Sequence, residues 1–251
     1  MKQRTTSVAK ALAVLASIGE ARTRSLTEIA QAVRLPKSTL LRLISVLVSE
    51  GFVHRTAHGE YAVSLKLWRI GCNAVNSENV RDEVIPVLRG LVERTGETAH
   101  YCVYEDGHSV YIEKVDGSHP IRAYTSVGGR SPAYATATGK ALLAWRDESE
   151  ITEVARRSQR WTDKTIVGIK AILRQAAEIR KTGYAVNRGE WRESVWGIAA
   201  PVFDRYGKVI AAVGISGPRD RVEPNVDEFA AHVRSAAAEI SRRHGALERA
   251  S

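Results

Sequence analysis

The sequence predicts a mixed fold, with a winged helix-turn-helix at the N-terminus and an α+β domain on an antiparallel sheet behind it. Three observations carry this. Residues 36–48 read as a short helix with one packed face, preceded by a capped helix and followed by a hairpin. Residues 81–251 place strands in hairpins, with helices before, between and after them. The charge is also unevenly divided: of a formal +9, residues 1–80 hold 11 Lys/Arg against 5 Asp/Glu, and residues 81–251 hold 26 against 23. A basic N-terminal third favours a polyanion, nucleic acid first. A solvated basic face would explain the charge equally well if charge stood by itself.

At 251 residues the chain has room for two ordinary domains, each with a core. No apolar run of about 18 residues crosses a membrane and no signal-peptide pattern opens the chain, so a cytoplasmic protein is expected. Cys72 and Cys102 form no CxxC pair and have no histidine at ligand spacing, so neither a disulfide framework nor a metal site is expected.

In chain order, Val8, Leu12 and Leu15 mark the inner face of a first helix over 8–18, closed by Gly19. Ser25-Leu26-Thr27-Glu28 has the S-x-x-E form of a capping box and starts a second helix. After Arg34-Leu35, Pro36 sets the first turn of a third. Leu40, Leu43, Ile44, Leu47 and Val48 form its apolar stripe, with Ser38, Arg42, Ser45 and Ser49 opposite. Small hydroxyls let a backbone approach base edges, and a guanidinium reaches guanine O6 and N7 together. The expected readers are therefore Lys37, Ser38, Thr39, Arg42 and Ser45. Segments 52–55 and 61–63 flank Ala57-His58-Gly59 as a wing that carries Arg55 and His58. Residues 1–64 form this domain, 65–80 a connecting helix, and 81–251 the second domain.

That second domain begins with a helix on Val84, Val87, Leu88 and Leu91. Strands over 98–104 and 110–115 follow around Asp106-Gly107, and a third strand is expected over 121–125. Helices are expected at 134–145, 149–157 and 168–182, strands at 196–203 and 208–216, and a closing helix on Val226, Phe229, Val233, Ala237 and Ile240.

The order Ser7–Leu12, Leu35–Thr39 and Glu50–Val53, then Gly129–Ala144, Gly183-Tyr184-Ala185, Ile198–Val202 and Ile215–Pro218, resembles the IclR-type bacterial transcriptional regulators over nearly the whole chain. The resemblance implies a GAF- or PAS-like effector-binding domain, a homodimer or dimer of dimers on a palindromic DNA operator, and a small-molecule effector held at the positions of Asn187, Gly197, Gly214 and Ser216. RNA polymerase is a further partner to consider. No membrane partner and no cofactor are implied.

Alternation on the last two strands separates Trp196, Ile198, Ala200 and Val202 from Gly197, Ala199 and Pro201, and large residues from Ala212, Gly214 and Ser216. If the small sets share a face, that face either leaves a cavity or admits a helix backbone closely. The loop 187–193 departs from the family's two adjacent acids: Gly189 replaces the first, before Glu190, Trp191 and Arg192. That departure points away from small-acid effectors, toward an aromatic or other bulky carboxylate. Tyr101, Tyr124, Tyr134, Trp191 and Trp196 offer rings, and Asn187, Arg188, Arg192 and Ser216 offer partners for a carboxylate.

Enzymatic signatures are missing. Gly139-Lys140-Ala141 lacks the remainder of a phosphate loop, and Ser216 sits in a strand instead of at an elbow. The seven histidines are scattered. No enzyme is expected. The alternatives are an enzyme with an appended DNA-binding domain, or a winged-helix module without base reading.

Overall fold

The computed structural model describes residues 6–21, 24–74 and 80–246. The chain divides into two compact units, Met1–Ser77 and Glu78–Ser251.

The first unit contains α1 (Ser7–Gly19), α2 (Leu26–Val33), α3 (Lys37–Ser49), β1 (Val53–Arg55), β2 (Tyr61–Val63) and α4 (Leu65–Ala74). The capping box forms as the sequence requires: Glu28 N donates to Ser25 Oγ at 3.3 Å and Ser25 N donates to Glu28 Oε2 at 2.8 Å. Arg34 ends α2 in the left-handed region, φ 52°, which turns the chain tightly into Pro36. Pro36 stands one residue ahead of α3, where its extended ψ admits it without removing a helical hydrogen bond. Leu40, Leu43, Ile44 and Leu47 are buried against Val14, Ile18, Ile29 and Val53, each burial contributing on the order of 1.5–3 kcal/mol. Val48 instead lies at the edge of the stripe, exposed.

The phase of α1 differs from the expectation. Val8 and Leu12 are 68% and 59% exposed, and Val14 and Ile18 take the inner face. The wing gains a partner that alternation did not reveal, because Arg24 pairs with Tyr61 as an isolated bridge. Of the expected connecting helix, Leu65–Ala74 is helical, and positions 75–79 lie outside the described residues.

The second unit opens with a π-helical turn, Val80–Val84, leading into α5 (Ile85–Thr95). One six-stranded antiparallel sheet follows, ordered β5-β4-β3-β8-β7-β6. Its strands are β3 (Thr98–Glu105), β4 (His108–Val115), β5 (Arg130–Pro132), β6 (Ala185–Arg188), β7 (Val195–Phe203) and β8 (Val209–Pro218). Between them run α6 (Ala137–Leu143), α7 (Glu148–Arg156) and α8 (Ile169–Thr182), and after them the one-turn α9 (Arg219–Val222) and the long α10 (Val226–Arg243). Asp106 and Gly107 both take positive φ, 43° and 75°, the signature of a type I′ hairpin turn.

Two short edge strands, β5 and β6, add to those the sequence predicts, and the strand expected over 121–125 is absent. Alternation was present there, but Ile121 and Tyr124 are 74% and 80% exposed. The segment instead crosses as a strap, fixed where Arg221 Nη2 donates to Ile121 O at 2.8 Å. The same guanidinium grips buried Glu97 in bidentate fashion.

The two faces of the sheet bury different things. Trp196, Ile198, Ala200, Val202, Ala211, Val213 and Ile215 pack against α10, in a core that α5 shares. The small residues face the other way in the register Gly197↔Ser216, Ala199↔Gly214 and Pro201↔Ala212, and α6 lies on them.

Candidate functional site

Two surfaces carry the chemistry, one on each unit. On the first, packing the back of α3 leaves Lys37, Ser38, Arg42 and Ser45 exposed, with Thr39 half-buried. Arg55 and His58 are exposed on the wing, and Arg55 Nε donates to Gly59 O at 3.2 Å, which stiffens the tip. A helix with an apolar back, a front of small hydroxyls, one central arginine and a basic hairpin beside it suits a groove lined with phosphates.

On the second unit the small-residue face resolves both alternatives, over different lengths of strand. At Ala199 and Ala212 the alanine-rich α6 fills the space, Ala137, Ala141 and Leu142 joining the same buried cluster. A Cβ on Gly214 would sit 2.5 Å from Ile198 O and 2.7 Å from Ala199 Cβ, so this glycine serves close backbone approach. Toward Gly197 and Ser216, beside the first residues of α6, Ala137 and Thr138, a pocket opens. It offers about 40 Å³ of space to a water-sized group.

Six of the residues expected from sequence line this pocket: Tyr124, Asn187, Trp191, Arg192, Gly197 and Ser216. Six others lie elsewhere, each for a definite reason. Tyr101 and Trp196 point to the opposite face, because strand alternation places them in the core under α5 and α10. Tyr134 lines a different cleft beside α7, where its hydroxyl joins Gln159 and the indole of Trp161. Gly214 is covered by its sheet neighbours, and Arg188 lies outside the pocket with its guanidinium 5.9 Å from the Trp196 ring.

Glu190 is structural. It is buried, and Lys140 Nζ donates to its Oε1 at 2.5 Å and to Val186 O at 2.6 Å. Asn187 Oδ1 accepts from Glu190 N at 2.8 Å, and Thr165 Oγ1 donates to Glu190 O at 2.6 Å. These bonds fasten the loop that presents Trp191 and Arg192, the latter stacked 4.8 Å from the Trp191 ring centroid. Burial lowers the Lys140 pKa, and the adjacent Glu190 charge opposes that shift.

The structure adds lining residues that the sequence did not single out: His100, Tyr111, Thr136 and Thr138. His100 Nε2 lies 2.7 Å from Ser216 Oγ, and its ring meets Tyr111 edge-on at 5.2 Å. Burial pushes the His100 pKa down to about 3 and the Tyr111 phenol up to about 12, so both are neutral near pH 7. Along β3, His100 faces away from Ala99 and Tyr101, which belong to the core under α5 and α10. The missing information was that β3 pairs with β8, setting His100 opposite Gly214.

Both units have counterparts in known proteins. Residues 7–57 match the IclR helix-turn-helix domain, and residues 72–242 match the bacterial transcriptional regulator IclR C-terminal family. The HTH-type transcriptional regulator KdgR of Escherichia coli is 35% identical over 243 residues, covering 95% of this chain and 92% of that protein. The crystal structure of Thermotoga maritima IclR superposes with a TM-score of 0.73 at 32% identity, covering 95% of this chain and 98% of the other. An IclR homologue from Microbacterium hydrocarbonoxydans, solved in complex with 4-hydroxybenzoate, has the same fold, with a TM-score of 0.84 at 24% identity and coverage of 96% and 99%. With both domains matched end to end, the chain belongs to the IclR family of bacterial transcriptional regulators, which join a helix-turn-helix to a C-terminal effector-binding domain.

Proposed function

We propose that this regulator reads a two-fold symmetric operator through α3 and answers to a carboxylate effector held at the Gly197/Ser216 end of the sheet. The observation that carries the DNA half is the division of α3 into a buried apolar back and an exposed front of Lys37, Ser38, Arg42 and Ser45. Thr39 flanks that front, and Arg55 and His58 contact phosphate from the wing. One short helix reads only a few base pairs, so a homodimer, or a dimer of dimers, matches successive turns of the duplex. The exposed apolar side chains Val8 and Leu12 are available for such self-association.

The pocket's rim, with Tyr124, Trp191 and Arg192, favours an aromatic or other bulky carboxylate. Binding shifts operator affinity or polymerase contact through the 65–80 segment, by a coupling of about 1–3 kcal/mol. A protein that works on DNA in this way operates in the cytoplasm.

The test is operator binding by the Arg42→Ala protein. Loss of about 1–3 kcal/mol with relaxed preference at one base position supports base reading. Equal weakening on every sequence would reduce Arg42 to a phosphate contact.

A further inference from the structure

Charge within the second unit is as unevenly divided as in the chain at large. Residues 156–181 hold 8 Lys/Arg against 2 Asp/Glu, and the remainder of 81–251 holds 18 against 21. Part of this basic run is used inside the fold. Arg156 and Arg157 pair with Glu153, and Arg180 Nη1 donates to Ala144 O at 2.6 Å. Lys170, Arg174 and Lys181 differ. All three are exposed, and among the described residues none of their side chains forms an ion pair or a hydrogen bond.

The period of α8 sets these three on one stripe. At about 100° per residue, Lys170, Arg174 and Lys181 fall within about 40° of one another, and the buried Ile172, Ala176 and Ile179 lie on the opposite side. Ala177 falls in the same stripe and leaves the space between the cations open. At about 1.5 Å per residue the stripe is roughly 16 Å long.

The fold itself gives no reason for the first two cations. Lys170 stands in the first turn of α8, which contains no acid, where the helix dipole disfavours positive charge. Arg174 follows at i+4, a spacing at which like charges repel. Lys181, in the last turn, does suit the dipole. A polyanion laid along the stripe relieves the repulsion. Duplex DNA matches it in dimension, with one phosphate per about 3.4 Å of axis on each strand, so the stripe runs past about five of them. No amide or hydroxyl lies between the cations to read a base edge, so the contact is with phosphate alone. The helix-turn-helix of the same chain also holds a duplex, which raises its local concentration.

We propose that the outer face of α8 is a second DNA-contact surface, on which Lys170, Arg174 and Lys181 meet the phosphates of duplex beyond the base pairs that α3 reads. It adds affinity without adding sequence preference.

Fluorescence anisotropy of the full chain on a mixed-sequence duplex of about 60 base pairs, between about 50 and 200 mM KCl, tests this. Each phosphate contact contributes about 0.9 to the slope of log K against log salt, so Lys170→Gln/Arg174→Gln/Lys181→Gln should lower the slope by about 2–3. The triple variant Arg89→Gln/Arg205→Gln/Arg234→Gln removes the same charge from other exposed positions, and should lower it by less than about 1. An unchanged slope in the first variant overturns the proposal, and so does an equal fall in both, which would make net charge the cause. Without DNA, the α8 variant should melt at or above the native Tm, because its repulsion is relieved. A lowered Tm would overturn the argument that the fold has no use for these cations. Site selection from random duplexes should return one consensus for the native and α8-variant proteins, and an altered consensus would overturn contact through phosphate alone.

Discussion

Glu190→Leu isolates the ion pair with Lys140, the most deeply buried among the described residues, which fastens the 187–193 loop. The substitution leaves the Lys140 ammonium, 2% exposed, with Val186 O as its remaining polar contact. Breaking a buried pair from one side is destabilising by about 3–5 kcal/mol. Here an upper bound also follows, because the lysine can escape by losing its proton. At pH 7 it stands about 3.4 units below its ordinary pKa of about 10.4, and at about 1.36 kcal/mol per unit the loss is capped near 4.6 kcal/mol.

The sign of the pH dependence is fixed as well. Burial already lowers the Lys140 pKa, and the variant removes the attraction that opposes it. A folded state with a neutral lysine binds one proton fewer than the unfolded chain, so the variant regains stability as pH rises toward 10.4. Urea unfolding at pH 7, 8 and 9 should show its deficit against the native protein shrinking as pH rises, by at most about 1.4 kcal/mol per unit. The double variant Lys140→Met/Glu190→Leu should sit within about 1 kcal/mol of native at every pH, since an apolar pair replaces the charges without orphaning either. A deficit below about 1 kcal/mol in Glu190→Leu, or one that is flat with pH, would refute the account of this pair.

His100 titrates in the same sense: its folded pKa of about 3 lies below its ordinary 6.5, so the native protein loses stability as pH falls from 6.5 toward 3. In acid unfolding, His100→Asn should lack this component, and parallel curves for the two proteins would contradict a neutral buried ring. Ser25→Ala removes the capping-box acceptor of α2 and should lower the stability of the N-terminal unit by about 1 kcal/mol, measured by thermal unfolding. Gly214→Ala forces a Cβ against Ile198 O and Ala199, and should destabilise the sheet beyond the ordinary cost of about 1–3 kcal/mol for overpacking, seen as a lowered Tm of the C-terminal unit.

Features written in short stretches of sequence were legible without coordinates. The capping box needs only Ser25 and Glu28, the hairpin needs Asp106-Gly107, and the sorting of β7 and β8 into large and small faces follows from alternation. Features that depend on what a segment meets were not. Apolar spacing on α1 specifies a stripe but not its phase, so the spacing points Val8 and Leu12 inward, whereas Val14 and Ile18 take that place. β5 has three residues, one of them proline, too short for any pattern, and the strap at 121–125 is set by a guanidinium a hundred residues away. The pocket divides along the same line. Its sheet and loop residues follow from the resemblance and the local pattern, whereas His100 and Tyr111 enter through the pairing of β3 with β8 and β4.

That pairing bears on the order in which the molecule becomes complete during synthesis. His100 and Ser216 are 116 residues apart, so the two halves of the pocket floor cannot meet until the strand carrying Ser216 has been made. The helix-turn-helix unit, with a core of its own, is finished at residue 77. At about 5–20 residues per second the intervening stretch takes roughly 7–28 s to translate. A nascent chain therefore has its DNA-facing surface well before it has a sensor, and for that interval the surface is beyond the reach of any metabolite.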